Sequence, residues 1–308
     1  MHVEQKSGAQ LLIGLDAMEW SLVKRWAREG KLPAFSRLIE SGAQAELASP
    51  AAELPDTVWP SVYTGTNPAK HERYYYFQYD ARAQDLRRVP DDALRGIPFW
   101  TYLSQAGHRL AIVDVPKFPL SRIPNGAQLA NWGAHATHTR RSSHPDSLLA
   151  DIRSRFGDFP VQECDAVDTT PRALVRLRQQ VLEGVRLHGR VFRWLMQHME
   201  WNEFFAVFSA PHCIGHHCWH GLEVSHPRHD EARQHGLSNA IEEVYRAIDH
   251  EIGEMLKMVG LETRIMVFAA HGMGPLCHGS WNLQQILDLL GHGHPDGRGG
   301  PTRARWGG

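Results

Sequence analysis

Cysteine is scarce: four residues, at positions 164, 213, 218 and 277, in a chain of 308. So few thiols over such a length exclude the disulfide framework of a small secreted domain and point to reduced cysteines. Long apolar runs are missing too, since no segment approaches the roughly 18 consecutive apolar residues that span a bilayer. The opening Met-His-Val-Glu-Gln-Lys-Ser-Gly-Ala-Gln is polar and lacks the apolar stretch of a secretory signal. The expectation is a cytoplasmic protein with no membrane partner. Nor does one charge dominate: Lys and Arg number 33 against 34 for Asp and Glu, a net charge of -1. No global field then draws the chain to a nucleic-acid polymer or an anionic membrane, and any phosphate recognition is local. Glycine-rich nucleotide loops of the Walker or Rossmann type are absent, as are internal repeats.

What is present is a full-sized core and an unusual number of histidines. With 42% hydrophobic residues the chain can bury one large α/β domain, read here as residues 1–291. The remainder, 292–308, is rich in Gly and Arg without periodicity and reads as a disordered tail. Of the 20 histidines, many fall between His212 and His235. That bias suits either metal binding or a solvated polar loop.

Four apolar runs end in a polar residue. Leu11–Leu15 leads into Asp16, Leu110–Val113 into Asp114, Phe204–Ser209 into Ala-Pro-His212, and Ile265–Ala270 into His271. Helical spacing precedes or follows each run: 21–41 with a break at Gly30–Pro33, 97–106, 145–157, 171–199 and 238–259. Strand alternating with helix predicts a doubly wound, mostly parallel sheet sandwiched between helices. In such a sheet, ligands bind beyond the carboxyl ends of the strands, which would gather these four residues into one site. The stretch between Val115 and Ser143 reads as loop.

The segment Leu54-Pro-Asp-Thr57-Val-Trp-Pro-Ser61-Val-Tyr-Thr64-Gly65 sets a hydroxyl before a helix start. Backbone N–H groups there can hold an anion, and a coordinated hydroxyl can attack at neutral pH, so Thr57 is a candidate nucleophile. The alternative is that Thr57 or Asp56 is an N-cap. His212 and His216 stand at i, i+4, a spacing that puts two imidazoles on one metal if the turn is helical. Here the alternatives are histidines that solvate a loop and a structural zinc held by Cys213 and Cys218. An aspartate, a hydroxyl and several strand-end histidines together suit a two-metal site for in-line displacement at phosphorus. Lys117 and His135 fall where loops can reach a substrate phosphate. The run Tyr74–Phe77 reads as a buried strand or turn, with stacking on a leaving group as the alternative. Trp59, Trp100 and Trp219 read as packing residues.

These motifs resemble the alkaline phosphatase superfamily, in its type I phosphodiesterase and nucleotide pyrophosphatase branch. The resemblance rests on Gly14-Leu-Asp16, the Trp-Pro-Ser and Thr-Gly-x-x-Pro-x-x-His elements between Thr57 and His71, His212-x-x-Gly-His216, and His271-Gly-Met273. It implies an alkaline-phosphatase-like α/β fold and a hydrolase of small phosphate esters or diesters that works through a phosphothreonine. Two divalent ions, zinc or manganese, are implied with it. By the resemblance, Asp16, Thr57 and His271 serve one ion, and His212 and His216 the other. The chain departs from the family pattern at three places. Ala270 stands where an aspartate is usual, His212 replaces another aspartate, and the chain reads as truncated before the family's last histidine, with His278 the nearby alternative. A shortened, inactive relative is therefore the competing expectation.

Overall fold

The computed structural model describes residues 8–52, 54–89, 94–118, 120–133, 140–161, 168–275 and 283–291. By contacts the chain divides into Met1–Gly274 and Pro275–Gly308. The first unit opens with strand β1 (Gln10–Leu15) and helices α1 (Trp20–Arg28) and α2 (Pro33–Ser41). Two 3-10 turns, Pro50–Ala52 and Pro55–Thr57, lead into α3 (Val58–Thr64) and α4 (Pro68–His71). An antiparallel ribbon of β2 (Phe77–Asp80) and β3 (Asp85–Arg88) comes next, then α5 (Phe99–Gln105) and strands β4 (Leu110–Val113), β5 (Gly126–Ala130) and β6 (Ser142–His144). Helices α6 (Ser147–Phe156) and α7 (Pro171–His198) precede β7 (Glu203–Phe208) and α8 (Ala210–Leu222). The unit closes with α9 (His229–Gln234), α10 (Ala240–Leu256) and β8 (Arg264–Phe268). In the second unit the described element is α11 (Leu283–Leu289). Residues 292–308 lie outside the described ones.

The six-stranded sheet runs in the order β6-β5-β4-β7-β1-β8, and every pairing except β5 with β6 is parallel. Side chains alternate across it, as the two-residue period of a strand requires. Leu11, Ile13, Phe204, Ala206 and Phe208 face a core built with α1, α2, α6, α7, α8 and α10. Phe205, Val207, Leu110 and Ile112 face a second, smaller core with Trp59 and Tyr63 of α3 and Trp100 of α5. This is the mostly parallel sheet between helices that the strand–helix alternation predicts. The long α7 earns its place by burial: Leu174, Leu177, Val181, Val185, Phe192 and Leu195 recur at helical spacing and are all buried. Each such side chain contributes about 1.5–3 kcal/mol when removed from water.

Three local expectations change. The stretch after Val115 contains β5 and β6, not only loop. Gly-Ala-Gln-Leu-Ala and Ser-Ser-His are short and lack the β-branched alternation that marks a strand. Helices α8 and α9 lie outside the helical ranges read from the sequence, which pass from 199 to 238. Tyr74–Phe77 is neither a buried strand nor a buried turn, because Tyr74 and Tyr75 are exposed and only Phe77 enters β2. None of the described helices is long and apolar enough to cross a membrane.

Candidate functional site

Strand order assembles the site. β1 lies between β7 and β8, so the residues that leave their carboxyl ends become neighbours at about the 4.8 Å spacing of paired strands. Asp16 follows β1, His212 sits in the first turn of α8 after β7, and His271 follows β8. One ligand atom from each of the three lies within 4.8 Å of the others. His212 Nδ1 is 3.2 Å from Asp16 Oδ2, and the His216 ring centroid is 4.5 Å from that of His212. The i, i+4 spacing is realised because the turn is helical. His212 therefore belongs to the group of Asp16 and His271 while also standing beside His216.

Asp16 is buried, and its orientation is fixed by Trp59 Nε1, which donates to Oδ1 at 2.7 Å. Trp59 thus does more than pack. Gly14 makes that bond possible, for a Cβ there would lie 2.9 Å from Trp59 Cη2. Burial lowers the proton affinity of His271 and so favours the neutral imidazole, an effect that the Asp16 carboxylate partly offsets. His271 Nδ1 is buried and finds no hydrogen-bond partner among the described residues. A carboxylate and two imidazoles, one with an orphaned nitrogen, form a donor set suited to a zinc-like cation.

Thr57 ends the second 3-10 turn, fully buried, and its hydroxyl donates to the Leu54 carbonyl at 2.6 Å. Thr57 stands at the N-cap position of α3, as the alternative reading has it, but its side chain makes no cap hydrogen bond to that helix. Asp56 contacts the Lys117 ammonium directly. Lys117 thereby reaches the start of the Thr57 segment. His135 lies outside the described residues, as does His278.

Asp114, one of the four strand-end residues, is not gathered with the others. It turns towards β5, where it accepts the backbone N–H groups of Trp132 and Gly133, each at 2.9 Å, and contacts His188 Nε2 at 2.9 Å. Its strand is separated from β1 by β7, and three hydrogen bonds on a fully buried carboxylate leave it a structural role. Cys213 and Cys218 lie in the larger core rather than around a structural zinc. Both are buried in that core, and burial pushes the Cys218 thiol up to about 12, so Cys218 behaves as a small core hydrophobe. Trp100 and Trp219 pack as expected.

Sequence reasoning assigned no role to Ser61 and His71, which fix the backbone of the Thr57 segment. The buried His71 accepts the Arg73 N–H at Nδ1, so its hydrogen is on Nε2 and points to Ser61 Oγ, 3.0 Å away. Ser61 in turn donates to the Thr57 carbonyl at 2.8 Å. The Thr-Gly-x-x-Pro-x-x-His spacing was the visible signal of this relay.

The family model described as type I phosphodiesterase / nucleotide pyrophosphatase matches residues 10–305. The chain belongs to this family. None of the curated proteins compared with it matches by sequence. Among solved structures it is similar to the phosphonoacetate hydrolase from Sinorhizobium meliloti 1021 in complex with phosphonoformate. That likeness has a TM-score of 0.58 at 16% identity and covers 95% of this chain and 66% of that one. The same hydrolase in complex with phosphonoacetate gives a TM-score of 0.53 at 15% identity, with the same coverage. Inactive murine ectonucleotide pyrophosphatase / phosphodiesterase 5 in complex with AMP gives 0.44 at 14% identity, covering 87% of this chain and 57% of that one. The phosphodiesterase-family chain therefore spans just under two thirds of the hydrolase's length, and its fold is the alkaline-phosphatase-like one of that neighbour.

Proposed function

We propose that the protein is a phosphoesterase acting on small phosphate esters or diesters, with Thr57 as nucleophile. The observation that carries this reading is the convergence of Asp16, His212 and His271 at the ends of three adjacent strands, next to the segment that holds Thr57. Asp16, Thr57 and His271 would hold one divalent ion, and His212 with His216 a second, zinc or manganese. When bound, these ions supply Lewis acidity that neutralises charge on the phosphoryl oxygens and lowers the pKa of the Thr57 hydroxyl.

The residues of the chain do the rest. Thr57 Oγ1 forms a bond to phosphorus while the bond to the leaving alkoxide breaks; the threonine proton passes to solvent and the alkoxide takes one from it. Water then cleaves the threonine–phosphorus ester, regenerating the hydroxyl and releasing phosphate from a monoester substrate or the remaining phosphomonoester from a diester. Lys117 Nζ offers donors to a non-bridging oxygen, and His135 is a second candidate donor on grounds of sequence alone. Thr57→Ala is expected to cut hydrolysis of bis-p-nitrophenyl phosphate by about a thousandfold or more while metal content is retained. Equal turnover in that variant would remove Thr57 from the reaction. Phosphonoacetate, held by the fold neighbour, belongs in the same assay.

Ala270 favours one second reading, a family member that folds and binds metal without turnover. Its methyl group supplies no carboxylate beside His271. Elemental analysis beside the assay separates the two: about two ions per chain with metal-dependent turnover supports the enzyme, and bound metal without turnover on any substrate supports the inactive relative.

A further inference from the structure

We propose that Met273 is a positioning residue for the metal pocket: seated on the bare backbone of Gly215 in α8, it locks the segment after β8 so that the His271 imidazole stays beside Asp16 and His212. The inference rests on the metal-site part of the reading above and deepens it.

His271 needs such a lock because the sheet supports it from one side. Asp16 and His212 follow β1 and β7, each of which has a strand on either side. Among the described residues β8 pairs with β1 alone, at the edge of the sheet, and that pairing ends at Phe268. Residues 270–274 then run on outside any helix or strand and make no backbone hydrogen bond among the described residues. Yet a ring nitrogen of His271 lies within 4.8 Å of ligand atoms of both Asp16 and His212. An irregular edge segment keeps such a position through side-chain contacts, and the two residues after His271 supply them.

Met273 makes the contact with α8. A Cβ built on the buried Gly215 would lie 2.8 Å from Met273 Cγ, 3.5 Å from Cε and 3.7 Å from Cβ, so the side chain runs along the helix in the space that the glycine leaves. Gly215 follows His212 by three residues, which puts the two on one face of the helix. Met273 therefore ties the His271 segment to the same face that presents His212, and its unbranched thioether suits so irregular a gap. Gly272 makes the other contact, with α1: a Cβ there would clash with Glu19 Oε2. Glu19 is itself fixed, since its N–H donates to the Tyr245 hydroxyl at 2.9 Å and its Oε1 accepts the Ser21 N–H at 3.0 Å.

The quantity to measure is the zinc affinity of the metal-free whole chain, by competition with a chromogenic chelator. Met273→Ala, which empties the space over Gly215, should weaken binding about tenfold or more. Met273→Leu, close in volume, should bind nearly as wild type does. In a His271→Ala background Met273→Ala should add no further loss, because its effect passes through that imidazole. Wild-type affinity in a folded Met273→Ala protein would overturn the proposal. So would an equal loss with and without His271, which would make Met273 a general stabiliser of the fold. Should Met273→Ala not fold, Gly215→Ala replaces it: alanine favours the helix while its methyl group displaces Met273, and wild-type affinity in that variant overturns the proposal. A wild-type chain that binds no zinc would overturn the metal-site reading and this proposal with it. Zinc binding that neither substitution changes would overturn the proposal alone.

Discussion

Trp59 shows how a residue with the look of a packing side chain acts on the site. Its ring fills the smaller core, but Nε1 is directed at Asp16 Oδ1, and Gly14 leaves the space that lets the ring arrive. In the proposed metal site, a hydrogen bond of this kind would orient the carboxylate for a cation. Trp59→Phe keeps most of the bulk and removes the donor, so it should weaken zinc binding about tenfold to a hundredfold with little change in melting temperature. Competition with a chromogenic chelator reads the affinity, and wild-type affinity in Trp59→Phe would remove the orienting role. Gly14→Ala fails differently: the new methyl would lie 2.9 Å from both Trp59 and Val207, and overpacking of that kind costs about 1–3 kcal/mol. That variant should lose stability and metal affinity together. Asp16, His212, His216 and His271 were legible one by one because each follows an apolar run or a helical spacing. Trp59 was not, since nothing in Thr57-Val-Trp-Pro distinguishes an indole that packs from one that also donates.

Among the elements, α2 depends on a residue far away in the chain. It begins at Pro33 without a side-chain cap of its own, and Asp249 of α10 accepts the N–H groups of Ala34 and Phe35 at 3.1 and 2.8 Å. The carboxylate satisfies two orphan donors and sits at the positive end of the helix. Asp249→Ala should therefore cost about 1–2 kcal/mol, the usual range for a lost cap, measured as a lower urea midpoint. An unchanged midpoint would mean that water replaces the carboxylate at no cost. The helices α2, α6, α7 and α10 were readable because an amphipathic helix repeats its apolar residues over several turns. The cap was not, because the partners are more than 200 residues apart. β5 and β6 failed for a related reason: three to five residues of Gly, Ala, Gln, Leu, Ser and His carry too little pattern, and their neighbours in the sheet decide their conformation.

At the scale of the molecule, strand order turns scattered residues into a site. Strand-end residues can be found in the sequence, but the placement of β1 between β7 and β8 cannot, and that placement unites Asp16, His212 and His271 while leaving Asp114 with β5. The same burial that builds this arrangement makes stability depend on pH. His71 and His220 are both buried, and loss of solvation lowers the proton affinity of each below the ordinary histidine value of 6.5. In His71 the effect has a visible cause as well: a protonated ring would turn the Nδ1 acceptor of the Arg73 N–H into a donor. Below pH 6.5 the unfolded chain binds protons that the native state refuses, so stability falls as pH drops from there towards the lower native values. Above 6.5 both states are neutral and the term is flat. Each such histidine adds a slope of at most about 1.4 kcal/mol per pH unit. The buried Asp249 carboxyl, whose pKa burial raises, acts in the opposite sense at more acidic pH, so the comparison that isolates the histidine is between variants. Urea unfolding of the metal-free protein should show a lower midpoint at pH 5.5 than at pH 7.5, and His71→Gln should be less stable than wild type at pH 7.5 yet lose less on acidification. Parallel losses in the two proteins would show that His71 takes up its proton equally in the native and unfolded states, and the burial argument for it would be wrong.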